Sequence, residues 1–194
     1  MNGPLGQRFL RAVDLNRGVG ALYPGAMNTT SSVRTPATPS LQLAGLGRVL
    51  AGGLLGGALD LTFAFLYYGP SGATPIGIVQ FIASGVLGQG SFQMGLESAA
   101  LGAFVHFFIS LCAAGIYYAA SLRFSFLTRR WLMSAIGFGI LVFLTMRLAV
   151  LPLSAVKSGH MTIGSIIGEL CSHMFLFAIP IAYAASRAAS RRAS

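Results

Sequence analysis

Acidic residues are almost missing from this chain. Asp14, Asp60, Glu97 and Glu169 are the only four acids in 194 residues. Charged residues of both signs make up 9% of the chain, against about 25% in soluble proteins. With 55% hydrophobic residues and a mean hydropathy of +0.74, that scarcity excludes an ordinary soluble domain and indicates an integral membrane protein. Cysteine is scarce as well. Cys112 and Cys171 both fall inside apolar segments, where packed thiols are expected rather than a disulfide. Nucleophilic motifs, phosphate-binding loops and Cys–Cys metal spacings are all absent, so no enzyme is expected and no cofactor or metal is called for. No apolar stretch follows Arg8, Arg11 and Arg17, so no cleavable signal peptide is expected.

Basic residues outnumber the acids. Thirteen Lys and Arg give a net charge of +9, a balance that could suggest a nucleic-acid partner. Their distribution argues otherwise. They are spread over loops and chain ends, as the positive-inside rule requires, so the expected partner is the lipid bilayer and not nucleic acid.

Residues 1–43 are expected to be a disordered tail. The stretch "NTTSSVRTPATPS" (28–40) is rich in Ser, Thr and Pro and has no periodicity. Met27 is an alternative translation start to Met1, because the membrane domain needs nothing before it. That domain covers 44–186 and contains four segments able to span a bilayer, about 44–68, 97–122, 131–151 and 162–186. A fifth apolar stretch, "IGIVQFIASGVLG" (76–88), is too short to span and reads as an interfacial or re-entrant helix. Residues 187–194 form a basic tail. The expected fold is all-α, a bundle of four transmembrane helices.

Orientation follows from Lys and Arg. Arg34 and Arg48 precede the first span, Arg123, Arg129 and Arg130 lie between the second and third, and Arg187, Arg191 and Arg192 follow the fourth. The loop 69–96 has no Lys or Arg, and 153–161 has only Lys157. Both termini are therefore expected in the cytoplasm of a bacterial inner membrane. Tyr67, Tyr68 and Trp131 stand at span ends, where aromatic belts form. Glu97 suits the N-terminal turn of the second span, and His160 falls in an outer loop.

This topology puts Asp60, His106, Arg147, Glu169 and His173 at a similar depth in the outer half of the membrane. Each lies on a stripe of small or polar residues: Gly52, Gly56, Asp60 and Ala64; Ser98, Gly102, His106, Ser110 and Ala114; Thr162, Ser165, Glu169, His173 and Pro180. Small residues let membrane helices approach closely. The stripes should face inward, the large Phe and Leu residues should face lipid, and the five ionisable groups should meet in one pocket. Arg147 should pair with Glu169 or Asp60, since an unpaired charge there is costly. The small-residue pattern of the first span is expected to pack within the chain, not to seal a dimer.

Four readings of the cluster are open. It could hold the helices together as polar glue. It could respond to or relay protons, with Glu169 and His173 one helical turn apart. It could bind a metal, although Glu-x-x-x-His alone is a weak signal. It could line the path of a small solute, in a channel or transporter subunit.

Three stretches together resemble the YagU-like family of bacterial inner-membrane proteins: "VHFFISLCAAGIYYAAS" (105–121), "LPLSA" (151–155) and "GELCSHMFLF" (168–177). The order and spacing agree over about 97–186, and His106, Pro152, Glu169 and His173 match by position. The resemblance implies a four-span bundle and a link to acid resistance. It does not extend to the first span, so Asp60 stands outside it. The expected role is a small membrane protein that resists acid or envelope stress through its Glu–His–Arg cluster. The alternatives are a channel or transporter subunit and a membrane metalloenzyme. A homo-oligomer or a membrane-protein partner is compatible with each.

Overall fold

The computed structural model describes residues 39–156 and 162–193, with side chains placed over 44–156 and 162–190. Helix α1 (Pro39–Tyr68) opens on a proline, whose fixed φ suits a first helical turn. It therefore begins inside the stretch 1–43 expected to lack structure. Met27 and the rest of 1–38 lie outside the described residues, as do Lys157 and His160. The chain leaves α1 through a tight turn, Gly69–Ser71, closed by Gly72 at φ +92°. Only glycine takes that conformation without strain.

The short apolar stretch forms α2 (Pro75–Leu87). Thr74 caps it by accepting a hydrogen bond from the Gly77 N–H at 3.0 Å, and Pro75 fills the first helical position. A 3₁₀ segment (Gly88–Gln93) leads to α3 (Gly95–Arg123), with exposed Glu97 in its first turn. A single turn, α4 (Phe126–Arg129), connects to α5 (Trp131–Leu153), and α6 runs Ile163–Ser190. Four segments, Ala44–Ser71, Gly95–Arg123, Trp131–Leu153 and Ile163–Ser190, are long and apolar enough to cross a membrane. The fold is an all-helical four-span bundle with a short helix between its first two spans.

Two helices carry a wide π turn, α5 at Met146–Val150 and α6 at Ser172–Phe177. A proline follows each, Pro152 and Pro180. A proline inside a helix donates no hydrogen bond and its ring crowds the carbonyl four residues back. Those carbonyls belong to Leu148 and Leu176, both within the π turns. The extra residue in each turn relieves that conflict.

Helix α1 stands between α3 and α6 and shows each a different pair of glycines. A Cβ on Gly52 or Gly56 would meet Pro180 O at 2.9 Å or Phe177 O at 2.5 Å, both on α6. A Cβ on Gly53 or Gly57 would meet Ala114 Cβ at 3.0 Å or Ser110 Oγ at 2.9 Å, both on α3. Gly102 instead admits α2: a Cβ there would collide with Val79 O. So α2 docks backbone to backbone on α3 about two turns from the start of α3.

The interior is made of small side chains. Ala114, Ala135, Ala178, Ala182, Ala185 and Ala188 are buried around Val49, Tyr117, Phe177 and Ile181, while Leu66, Phe104, Ile116 and Leu148 face outward. This inversion of a soluble core suits a lipid surround. Cys112 and Cys171 are both free, and one expectation is corrected: neither is packed in the interior, both being exposed.

Candidate functional site

The antiparallel register of α1 and α6 builds the site. Their contacts descend in order: Gly45 against Ala188, Gly52 against Ala184, Gly56 against Phe177, then Asp60 against Ser172 and Tyr68 against Glu169. Near the basic end the approach is so close that only small residues fit. Beyond Gly57 the glycines of α1 stop, larger side chains intervene, and the helices part around a cavity of about 1060 Å³.

Asp60, His106, Arg147, Glu169 and His173 all line this cavity. They arrive from α1, α3, α5 and α6. Helix α2 supplies only apolar or small walls, including Ile78, Phe81 and Ile82. The connection Ser71–Thr74 and Thr162 also line it, so it reaches the end of the bundle where α1 finishes and α6 begins.

The carboxylates are held by hydroxyls. Ser172 donates to Asp60 Oδ1 at 2.6 Å, and Tyr68 donates to Glu169 Oε1 at 2.7 Å. Arg147 shares the cavity with both carboxylates, so the site brings together the three groups among which an ion pair is expected. Arg147 lies in the π turn of α5, lines the same cavity and is within electrostatic reach of Tyr68. Tyr67 and Tyr68, expected as belt residues, likewise turn into the cavity.

Each histidine has one nitrogen committed to a backbone carbonyl. His106 Nε2 lies 2.8 Å from Gly57 O, and His173 Nδ1 lies 2.8 Å from Glu169 O. A carbonyl only accepts, so these nitrogens carry the hydrogens. The remaining nitrogen of each ring is the one that can take a proton. His106, with Ser110 donating to Gly53 O at 2.6 Å, also fastens α3 to the glycine face of α1. His173 Nδ1 is 3.9 Å from Asp60 Oδ1, and its ring lies between Phe143 and Phe177 at 5.9 and 5.8 Å.

Sequence periodicity missed two residues of the site. Ser172 was outside the small-residue stripe because the π turn rotates it inward. Gly139 was outside every stripe, yet a Cβ there would sit 2.5 Å from His173 O and from Met174 Cα. That contact seats α5 directly on the π turn of α6. Pro180 is the available signal for Ser172, and the pattern of α5 carries none for Gly139. Among the described residues, no group of three or more His, Cys, Asp or Glu is placed to hold a metal ion.

Fold and cavity together define a multi-pass membrane protein whose spans surround a largely apolar, open-ended cavity carrying a few ionisable groups. Compared with known protein families, with curated proteins and with solved structures, the chain matches none.

Proposed function

We propose that this bundle is a proton-responsive solute carrier or channel subunit of a bacterial inner membrane, with both termini in the cytoplasm. One observation carries the reading. A cavity of about 1060 Å³ lies among the spans and gathers two carboxylates, two histidines and an arginine. Helix glue needs contact between the polar groups and no chamber, whereas a solute path needs the chamber. Ionisable groups inside a bundle commonly mark such paths. Four spans are few for a carrier, so assembly with a second copy or another membrane protein belongs to the proposal.

The proton-sensitive element is His173 with Asp60. The groups sharing its cavity are Asp60, Tyr67 and Tyr68 from α1, His106 from α3, Arg147 from α5 and Glu169 on its own helix; α2 contributes no ionisable group. Protonation would place an imidazolium 3.9 Å from the Asp60 carboxylate and strengthen the contact between α1 and α6.

The test is flux. Purified protein in proteoliposomes with a trapped pH dye should dissipate an imposed proton gradient, or couple it to uptake of a small solute. His173→Gln and Asp60→Asn should assemble normally and lose that flux. No flux of protons or solute by the parent would return the cluster to helix glue. A second reading, resistance to acid or envelope stress, is supported by the same imidazole and by the resemblance of about 97–186 to YagU-like proteins. It expects a deletion strain to survive acid poorly, and His173→Gln to fail to restore survival.

A further inference from the structure

We infer that the ligand of this cavity is an amphiphilic organic cation, an ammonium ion carrying an apolar body, held by Asp60 and Glu169 against an aromatic wall. The inference rests on reading the cavity as a solute site and names what that solute is.

Charge decides the sign of the ligand. The ionisable groups lining the cavity are two carboxylates, one guanidinium, two imidazoles and two phenols. With the imidazoles neutral, the carboxylates outnumber the guanidinium and leave a net charge of minus one. In the low dielectric of the bundle such an excess is weakly screened and draws a cation.

The walls decide what kind of cation. Phe63 and Tyr67 stack with ring centroids 5.3 Å apart, and Tyr67 meets Tyr68 edge to face at 5.0 Å. A Cβ on Gly168 would lie 3.1 Å from the Tyr67 ring and 3.2 Å from that of Phe63, so this wall closes on α6 next to Glu169. Phe81 and Phe92 add rings from the α2 side. Aromatic faces attract ammonium groups, most strongly where water is excluded. An inorganic cation would use neither the apolar walls nor the volume. An ammonium ion with an apolar body uses both.

Binding and protonation then oppose each other. A proton on His173, 3.9 Å from Asp60, cancels the excess negative charge. Acid on the side that the cavity faces should expel the cation, and the cation should expel the proton, as reciprocal linkage requires.

The test uses two probes of one shape. Tetraphenylphosphonium and tetraphenylborate have nearly the same size and apolar surface and opposite charge. Each is titrated into the full chain in lipid nanodiscs, with empty nanodiscs subtracted. The phosphonium should bind saturably and the borate should not. Asp60→Asn and Glu169→Gln should each weaken phosphonium binding about tenfold or more. Both variants keep an oxygen that can accept from Ser172 or Tyr68, so the fold is preserved. Tyr67→Leu should weaken binding less, and His173→Gln should bind at neutral pH but lose the fall in affinity on acidification. Equal binding of borate and phosphonium, or phosphonium binding indifferent to both carboxylate variants, overturns the inference and shows a nonspecific apolar cavity. Proton flux in proteoliposomes without phosphonium binding also overturns it, while leaving the proton-linked reading of the cavity intact.

Discussion

At the scale of single residues, the site is defined by who donates to whom. Asp60 and Glu169 face each other's helices, and each accepts from a hydroxyl across the α1–α6 seam. These bonds are short, but an interhelical hydrogen bond inside a membrane protein contributes on average only about 0.6 kcal/mol, because the unfolded chain also finds partners. Ser172→Ala should therefore lower stability by about 1 kcal/mol, slightly more than that average, since it leaves a carboxylate without its donor. Reversible unfolding in mixed micelles would measure it. An unchanged midpoint would mean that Asp60 has another donor ready. Ser110 and His106 do comparable work on the α3 side by donating to Gly53 and Gly57, carbonyls on the glycine face of α1.

At the scale of helices, glycine decides who may touch. Gly139 and Gly137 lie two residues apart on α5 and have opposite surroundings. A Cβ on Gly139 would strike backbone of α6 at 2.5 Å, whereas one on Gly137 would meet nothing within 4 Å. Gly139→Ala should thus destabilise by about 1–3 kcal/mol through overpacking and push α5 away from His173. Gly137→Ala should be neutral or stabilising by up to about 1 kcal/mol, as Ala replaces Gly inside a helix. Thermal unfolding of the pair in one detergent gives the comparison, and equal effects would remove the claim that α5 seats on the π turn. The two π turns belong to the same scale. Each precedes a proline, each holds an ionisable side chain of the cavity, Arg147 in one and His173 in the other, and neither would be legible from a regular 3.6-residue period.

For the whole molecule, charge and cavity lie toward opposite ends. Because α1 and α6 are antiparallel, Arg48 and Arg187 share an end, and the α3–α5 connection brings Arg123, Arg129 and Arg130 to it. Arg187 caps the Tyr183 ring at 5.2 Å there, and Tyr183 in turn meets Trp131 at 5.4 Å, an aromatic cluster of interfacial type. The cavity reaches the other end. Reporter fusions after Ser125 and after Ser194 should both report cytoplasm, and fusions after Ser71 or Ser158 should report the outside. A cytoplasmic signal at Ser71 would reverse the side from which the cavity is reached.

The sequence by itself determined the class, the span count, the short extra helix and the small-residue faces of the first two spans. These depend on local composition and period: long apolar runs need no tertiary partner to enter lipid, and small residues recurring every fourth position mark a helix face whatever it meets. By the same logic Asp60, His106, Glu169 and His173 could be placed at one depth from rise per residue alone. Only the tertiary structure decided their partners. Ser172 enters the site because a π turn rotates it toward Asp60, and that turn follows from where Pro180 falls relative to a packed neighbour. Gly139 matters because α5 happens to cross α6 there, a contact that leaves no trace in the pattern of α5. The cavity itself has no local signal at all. It exists because the glycines of α1 end at Gly57 while the helix continues, so two helices in contact at one end are held apart at the other by Asp60, Phe63 and Tyr67.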